Sequence, residues 1–165
     1  MIRELSYSDS EVYLAKFQKE EKSYSTDWYN CEDENAQYIW WLEIEKPLGF
    51  LSYKKMILPN KIDFVYIVKI YVLKTYRGEN PILVEEKRVS EKLFSELDRK
   101  GVNILTLESA CENLDIFYKS LGFEYNVDIS NQFASVIGTR EQIMYRQKNS
   151  QSDMMSDAEK EMFGV

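Results

Sequence analysis

The run from Ile62 to Leu73 constrains the fold more than any other segment of this chain. Valine, isoleucine, tyrosine and phenylalanine fill most of its positions, so apolar side chains fall on both faces of an extended backbone. Residues of these types favour strands, and a strand that is apolar on both faces is typical of a sheet covered on both sides. The run therefore predicts the central strand of a layered sheet.

Shorter segments before this run predict the first part of the same sheet. Tyr38 to Ile44 and Phe50 to Met56 look like two strands. Residues 46–49, Lys-Pro-Leu-Gly, supply the proline and glycine of a turn, which predicts an antiparallel hairpin. Ile2 to Leu5 predicts a short strand, and a helix is expected to follow it to about Glu21.

The segment after the central strand predicts a crossover to a second buried strand. Residues 74–81 form a loop, a helix is expected over residues 82–100, and residues 102–107 form the next strand. The apolar positions of the helix share one face: Ile82, Val89, Leu93 and Leu97. The order strand, helix, strand predicts a βαβ unit, and the loop that opens its helix is where anions bind in such units.

The segment from Asp115 to Tyr125 predicts a short helix, a tight turn and the start of a strand. Gly122 suits the left-handed residue that ends a helix. Three apolar residues fall at helical spacing and are expected to face the sheet: Ile116, Phe117 and Leu121. Tyr118 lies one position off that stripe. Its phenol could donate a proton at the edge of a cleft, or its ring could simply pack with the hydroxyl in water.

The composition predicts one domain and excludes several function classes. The 165 residues are 44% hydrophobic, enough for one α/β or α+β core, and the net charge of -7 opposes nucleic acid and anionic lipid as partners. The absence of histidine excludes His-based metal sites and Ser-His or Cys-His pairs, and no metal site is predicted. Cys31 and Cys111 are isolated, which favours a reduced, intracellular setting without a disulfide. No apolar run approaches the ~20 residues that span a bilayer.

Four segments in order resemble the GNAT N-acetyltransferases. They are Ile-Tyr-Val-Leu at residues 70–73, Lys-Thr-Tyr-Arg-Gly at 74–78, Ile-Leu-Thr-Leu at 104–107 and Phe-Tyr-Lys-Ser-Leu-Gly-Phe at 117–123. The resemblance covers Ile2 to Arg146. It implies an α+β (α/β) fold in which a mixed, mostly antiparallel central sheet of about six to seven strands is flanked by helices, and it makes residues 1–146 one GNAT-like domain.

The resemblance also implies a site for acetyl-CoA. Backbone groups of three strand residues would bind the pantetheine arm: Ile70, Tyr71 and Val72. The family holds the pyrophosphate on a loop of the form Arg/Gln-x-x-Gly-x-Gly/Ala, and this chain has Arg77, Gly78, Asn80 and Ile82 in that loop. Asn80 replaces a motif glycine, Ile82 adds a branched side chain, and Glu79 and Pro81 add a negative charge and remove an amide donor. These departures predict weakened anion binding, and a turn that only caps a helix is the alternative.

The family's catalytic groups carry over unevenly. Tyr118 matches the tyrosine that protonates the leaving thiolate. The strand before the loop has Lys69 where the family has a carboxylate, so Glu108 on the neighbouring strand is the remaining candidate base. Where members have Asn seven residues before the tyrosine, this chain has Cys111, with Asn113 two positions later as a possible cofactor contact. Cys111 is favoured as a small buried residue over a nucleophile, since no base is identifiable nearby.

The C-terminal segment differs in composition from the domain. Residues 147–152 are polar and predict a linker. The rest carries apolar residues that a short isolated helix cannot bury: Met154, Met155, Met162, Phe163 and Val165. Residues 147–165 therefore predict a linker and a docking peptide that binds a protein partner or mediates self-assembly.

Two functions follow from these observations. The sequence favours a GNAT-fold protein with a degenerate cofactor site, acting as a noncatalytic component of a larger assembly. In that degeneracy the chain is similar to GNAT-like virion proteins of some short-tailed phages, which implies a phage virion protein. The alternative is an acetyl-CoA-dependent N-acetyltransferase that acts on a small amine or a protein amino group. The expected location is the cytoplasm, or a virion if the chain is phage-encoded.

Overall fold

The computed structural model describes residues 1–20, 33–109 and 112–147. Cys31, Cys111 and the predicted docking peptide lie outside these residues. The strands and helices are, in chain order, β1 Ile2–Leu5, α1 Tyr7–Glu20, β2 Gln37–Glu43, β3 Lys46–Ile57, β4 Asp63–Val72, α2 Val89–Arg99, β5 Ile104–Glu108, α3 Glu112–Ser120, α4 Val127–Ile137 and β6 Ile143–Gln147. None of the described helices is long and apolar enough to cross a membrane.

The strands form one six-stranded mixed sheet in the order β1-β2-β3-β4-β5-β6. β1 with β2, β2 with β3 and β5 with β6 are antiparallel pairs, whereas β4 and β5 are parallel. The parallel pair is joined through α2, which confirms the predicted crossover. The predicted fold class, α+β with a mostly antiparallel sheet, is therefore confirmed.

The β2–β3 hairpin turns two residues earlier than the sequence predicts. The turn is formed by Ile44 and Glu45, both with positive φ, and residues 46–49 belong to β3. Pro47 is tolerated there because the pairing shifts at a bulge between Trp41 and Leu42. The prediction of a turn at residues 46–49 was wrong, because tertiary pairing of β3 outweighed the local preference of proline and glycine.

The helix of the crossover is shorter than predicted. It begins at Val89 rather than near residue 82, so Ile82 lies in the preceding loop with 54% of its surface exposed. Glu85 and Glu86 have φ of 52 and 68, and Val84 and Lys87 exchange backbone hydrogen bonds of 2.8 and 3.0 Å around them. This reversal cannot continue a right-handed helix, which explains why the predicted start was wrong.

The chain divides into two compact units, the first formed by Met1–Lys54 and Val68–Gly101. Its core is an aromatic cluster on one face of the sheet. The Phe17 ring of α1 lies 5.4 Å from that of Trp40, and Trp40 lies 4.9 Å from Phe50. The Trp40 indole donates a 2.9 Å hydrogen bond to Ser10, a buried residue. Aromatic packing therefore joins α1 to β2 and β3.

The second unit comprises Lys55–Ile67 and the chain from Val102 onwards. Its core joins β4, β5, β6 and α4 through buried residues: Leu58, Ile62, Phe64, Ile104, Ile129, Phe133, Ile143 and Tyr145. Helix α4 is capped at its start by Asn126, whose side chain accepts hydrogen bonds from two backbone N–H groups, and at its end by Gly138 with φ of 84. The strand predicted after Gly122 is reduced to one bridge between Glu124 and Tyr145, so that prediction was wrong.

Candidate functional site

The first group of candidate residues lies at the end of β4. The parallel pairing with β5 joins Val65 to Leu105 and Ile67 to Leu107, and β4 continues beyond it to Val72. Ile70, in this continuation, is partly exposed, whereas Tyr71 and Val72 are buried. The next residue, Leu73, donates a 2.9 Å backbone hydrogen bond to Leu48 of β3. The three predicted pantetheine contacts are thus consecutive on a strand that is paired with β3.

The loop after β4 folds onto itself. The Arg77 guanidinium lies 5.3 Å from the centre of the Tyr71 ring, and Gly78 has φ of 86. The N–H of Ile82 donates to the carbonyl of Thr75 at 2.9 Å, so this predicted phosphate contact already has a partner. Asn80 is exposed and is not among the described residues with positive φ. The loop therefore forms a turn of its own, separated from the helix start by residues 83–88.

The start of α2 is the more suitable anion-binding element of this crossover. Arg88 is its N-cap residue, and no side chain caps the helix. The first N–H groups of any helix lack partners within it and attract anions. Lys87 is exposed, and Arg88 donates a 2.9 Å hydrogen bond to the carbonyl of Gly78. Two cations therefore precede an uncapped helix start, with the glutamates at residues 85–86 and Glu91 in the first turn as opposing charges.

Sequence reasoning missed Lys87 and Arg88. The helical spacing of Ile82 with Val89 suggested one continuous stripe and moved the expected helix start seven residues towards the N-terminus. The available signal was the basic pair directly before the apolar positions Val89 and Leu93. The two acidic residues just before these cations lie in the turn that prevents the helix from starting earlier.

Tyr118 occupies the apolar face of α3 rather than its edge. Its side chain is 6% exposed, and its ring lies 6.0 Å from that of Phe123 in an edge-on arrangement. Its carbonyl accepts hydrogen bonds from the N–H groups of Leu121 and Phe123 at 3.0 and 3.1 Å. Ile116, expected to face the sheet, is 65% exposed. The predicted facing of this helix was therefore wrong for Ile116, because the ring of Tyr118 packs into the turn at the helix end.

Glu108 and Asn113 flank the start of α3. Glu108 is the last residue of β5, is partly buried and pairs with Ile143 of β6. The next residue, Ser109, donates a hydrogen bond through its hydroxyl to the Asp115 carboxylate. Asn113 lies in the first turn of α3. A carboxylate and a phenol thus occur on successive elements of the second unit.

The turn after Tyr118 is fixed by two residues. Gly122 has φ of 94, and a Cβ atom there would lie 3.2 Å from Cδ of Arg146. Arg146 donates a 3.1 Å hydrogen bond to the carbonyl of Leu121 and lies 5.3 Å from the centre of the Phe123 ring. Glycine is therefore favoured by the backbone conformation, and a Cβ atom here would also require the Arg146 side chain to shift.

The candidate residues separate by unit. Those of β4 and its loop, from Ile70 to Ile82, belong to the first unit, as do Lys87 and Arg88, whereas Glu108, Asn113 and Tyr118 belong to the second. Within the described ranges, no three acidic, cysteine or histidine residues are close enough to hold a metal ion.

Several solved structures share this architecture. The PaiA N-acetyltransferase from Thermoplasma acidophilum, solved in complex with coenzyme A, is 15% identical with a TM-score of 0.55, over 90% of this chain and 98% of that one. Escherichia coli ElaA is 16% identical with a TM-score of 0.57, over 89% and 99%. An acetyltransferase of the GNAT family from Staphylococcus aureus is 14% identical with a TM-score of 0.53, over 89% and 99%.

The similarity to these solved structures defines the fold of this chain. No protein-family model and no curated protein matches the sequence. The sheet order, the parallel β4–β5 pair and the crossover helix define a mixed α+β fold of the kind found in these solved structures. More particularly, the chain has the GNAT fold.

Proposed function

We propose that this protein binds acetyl-CoA and acts as an N-acetyltransferase on a small amine or a protein amino group. The observation that carries the proposal is the helix start after β4, where Lys87 and Arg88 directly precede an uncapped helix. In an acidic chain with a net charge of -7, such a pair at a helix N-terminus suits a diphosphate. The GNAT fold, in which a relative is solved with coenzyme A, supports the same ligand.

The donor set fits the cofactor in part. Lys87, Arg88 and the N–H groups at the start of α2 would hold the diphosphate, because backbone amides and cations both stabilise it. Backbone groups of Ile70 to Val72 would hold the pantetheine arm, as the GNAT resemblance implies. Glu91 in the first turn of α2 opposes the same charge. We therefore expect binding that is weaker than a glycine-rich loop would give.

The catalytic roles follow from the chemistry of two side chains. Acetyl-CoA, when bound, supplies an activated acetyl group. The Tyr118 phenol would donate its proton to the departing sulfur. Glu108 would accept the proton of the attacking amine, directly or through water, as a partly buried carboxylate at a strand end. Packing of the Tyr118 ring by Phe123 would orient the hydroxyl.

A second candidate function is a noncatalytic component of an assembly. It is favoured by the turn at residues 74–82, where the N–H of Ile82 is bound to Thr75 rather than available to a ligand. In this case the GNAT fold would serve as a scaffold and residues 147–165 as a docking peptide, for example in a phage virion. Of these residues, 148–165 lie outside the described part of the chain.

Calorimetric titration with acetyl-CoA distinguishes the two candidates. We expect the wild-type chain to bind, and a concentration ~100 times the Kd to raise the free energy of unfolding by about 2.7 kcal/mol. For a chain of this size that corresponds to a rise in melting temperature of about 5–10 °C. A folded chain that shows neither heat of binding nor a thermal shift would exclude the enzyme and leave the noncatalytic candidate.

Matched variants locate the binding site. Lys87→Glu combined with Arg88→Glu should weaken acetyl-CoA binding at least about tenfold, because two charge-assisted contacts to phosphate are lost. Lys61→Glu reverses one charge at an exposed turn in the other unit, half the change in net charge of the double variant, and should bind like wild type. Equal affinity in the double variant and wild type would contradict a diphosphate site at the start of α2.

A further inference from the structure

The β2–β3 turn exposes an apolar side chain in a strained conformation. Ile44 and Glu45 have φ of 48 and 65, values that two-residue hairpin turns usually assign to asparagine and glycine. A β-branched residue in this region is a clear outlier. The Ile44 side chain is also 101% exposed. Both conformation and hydration therefore disfavour isoleucine here, which points to a role in contacting another molecule.

Three lysines surround this turn. A cavity of about 620 Å³ is lined by six residues: Lys16, Lys19, Ile44, Glu45, Lys46 and Pro47. Lys16 donates a 3.4 Å hydrogen bond to the Glu45 carbonyl and lies 5.6 Å from the centre of the Tyr13 ring. The Glu45 carboxylate accepts a 2.9 Å hydrogen bond from the Tyr13 hydroxyl. We call the six lining residues the lysine-ringed turn.

The charge of the lysine-ringed turn opposes that of the whole chain. Three lysines stand against one glutamate, in a protein whose net charge is -7. Lys19 and Lys46 are exposed and form no ion pair within the part of the chain that the structure describes. An occupant should therefore combine acidic groups with an apolar group that packs on Ile44.

The C-terminal segment of this chain has that chemistry. Residues 153–165 carry four acidic residues against Lys160: Asp153, Asp157, Glu159 and Glu161. Met154, Met155, Met162 and Phe163 in the same segment supply flexible and aromatic apolar side chains, which suit adaptable contacts. We propose that the lysine-ringed turn binds residues 153–165 of a second copy of this chain. The proposal is independent of the proposed acetyl-CoA function.

Sedimentation velocity of the full chain over a wide concentration range tests this docking. We expect reversible self-association that weakens at high salt, because the lysines face carboxylates near the surface. Ile44→Gly should weaken the association at least about tenfold, since the apolar anchor is lost. The same change should raise the melting temperature, because glycine adopts the left-handed conformation without strain. If Ile44→Gly associates more weakly although its melting temperature is higher, the loss comes from docking and not from a folding defect.

Lys61→Gly is the matched control. Lys61 also has a positive φ, of 68, in an exposed turn, but it does not line the lysine-ringed turn. This change should likewise raise the melting temperature and leave self-association unaltered. A comparable loss of association in Lys61→Gly and Ile44→Gly would overturn the proposal, because the effect would then come from backbone strain.

A mixing experiment identifies the occupant. Met162→Ser combined with Phe163→Ser should weaken self-association as much as Ile44→Gly does. An equimolar mixture of this tail variant with Ile44→Gly should regain association, because one chain keeps its turn and the other its tail. A chain that is monomeric at every concentration, or association that ignores the tail variant, would overturn the proposal.

Discussion

Gly49→Ala tests how closely β3 approaches β4 and α2 beside the proposed cofactor strand. Gly49 pairs with Trp41 across the hairpin. A Cβ atom there would lie 3.0 Å from the Tyr71 carbonyl oxygen, 3.0 Å from Cγ1 of Val89 and 3.2 Å from Cγ2 of Val72. The Val89 side chain is fully buried, and the carbonyl belongs to the sheet backbone, so neither can move freely. We expect destabilisation of about 1–3 kcal/mol, typical of overpacking.

Urea unfolding followed by circular dichroism measures this cost. For a chain of this size, the same loss of free energy of unfolding corresponds to a fall in melting temperature of about 2–12 °C. Gly78→Ala is a control, because its Cβ would meet nothing within 4 Å and only the backbone φ of 86 opposes it. If the clash with Val89 is real, Gly49→Ala should cost less in a Val89→Ala background, where Cγ1 is absent. Strictly additive effects of the two changes would refute the packing argument.

Two further predictions concern the proposed catalytic role of Tyr118 and the stability of the fold in acid. Tyr118→Phe should lower turnover by ~10²-fold while leaving acetyl-CoA affinity unchanged, as loss of a general acid would; steady-state kinetics and calorimetry measure both, and unchanged turnover would contradict the role. Burial raises the pKa of Glu4, but hydrogen bonds from Lys100 and Tyr53 outweigh it and hold the pKa below its ordinary value of 4.5. A lowered folded-state pKa stabilises the fold above the unfolded value and ceases to do so as the pH falls through the folded value. Glu4→Gln should therefore reduce the free energy of unfolding at pH 7, and the difference in this free energy between variant and wild type should become smaller below about pH 4.5. Urea unfolding at a series of pH values measures this difference. A difference that does not change with pH would refute the linkage.

The overall fold could be predicted from the sequence because its main signals are local patterns. A strand that is apolar on both faces marked β4, and the order strand, helix, strand marked the parallel pair with β5. Glycine at residue 122 marked the end of α3, and it has the expected positive φ of 94. These features depend on hydrophobic periodicity and on backbone conformational preference. Both properties are set by residues that are close together in the sequence.

The candidate site was less predictable because it depends on where elements begin and face. Helix α4 carried sequence signals, Asn126 as its N-terminal cap and Gly138 as its end. This helix and strand β6 come after residues 117–123, the last segment that resembles the GNAT family. The facing of α3 was decided by the turn into which the Tyr118 ring packs. Side-chain volume and neighbouring elements thus overrode helical spacing.

The sequence by itself determined the fold class, the crossover and the exclusion of histidine chemistry, because composition and periodicity are properties of the chain alone. Only the tertiary structure decided that α2 starts at Val89, that Lys87 and Arg88 precede it, and that Ile44 is left exposed among lysines. The reason is that a turn's position is set by which strands pair. Proline and glycine at residues 46–49 favour a turn locally, but pairing of β3 with β2 from Lys46 onwards moves the turn to Ile44 and Glu45.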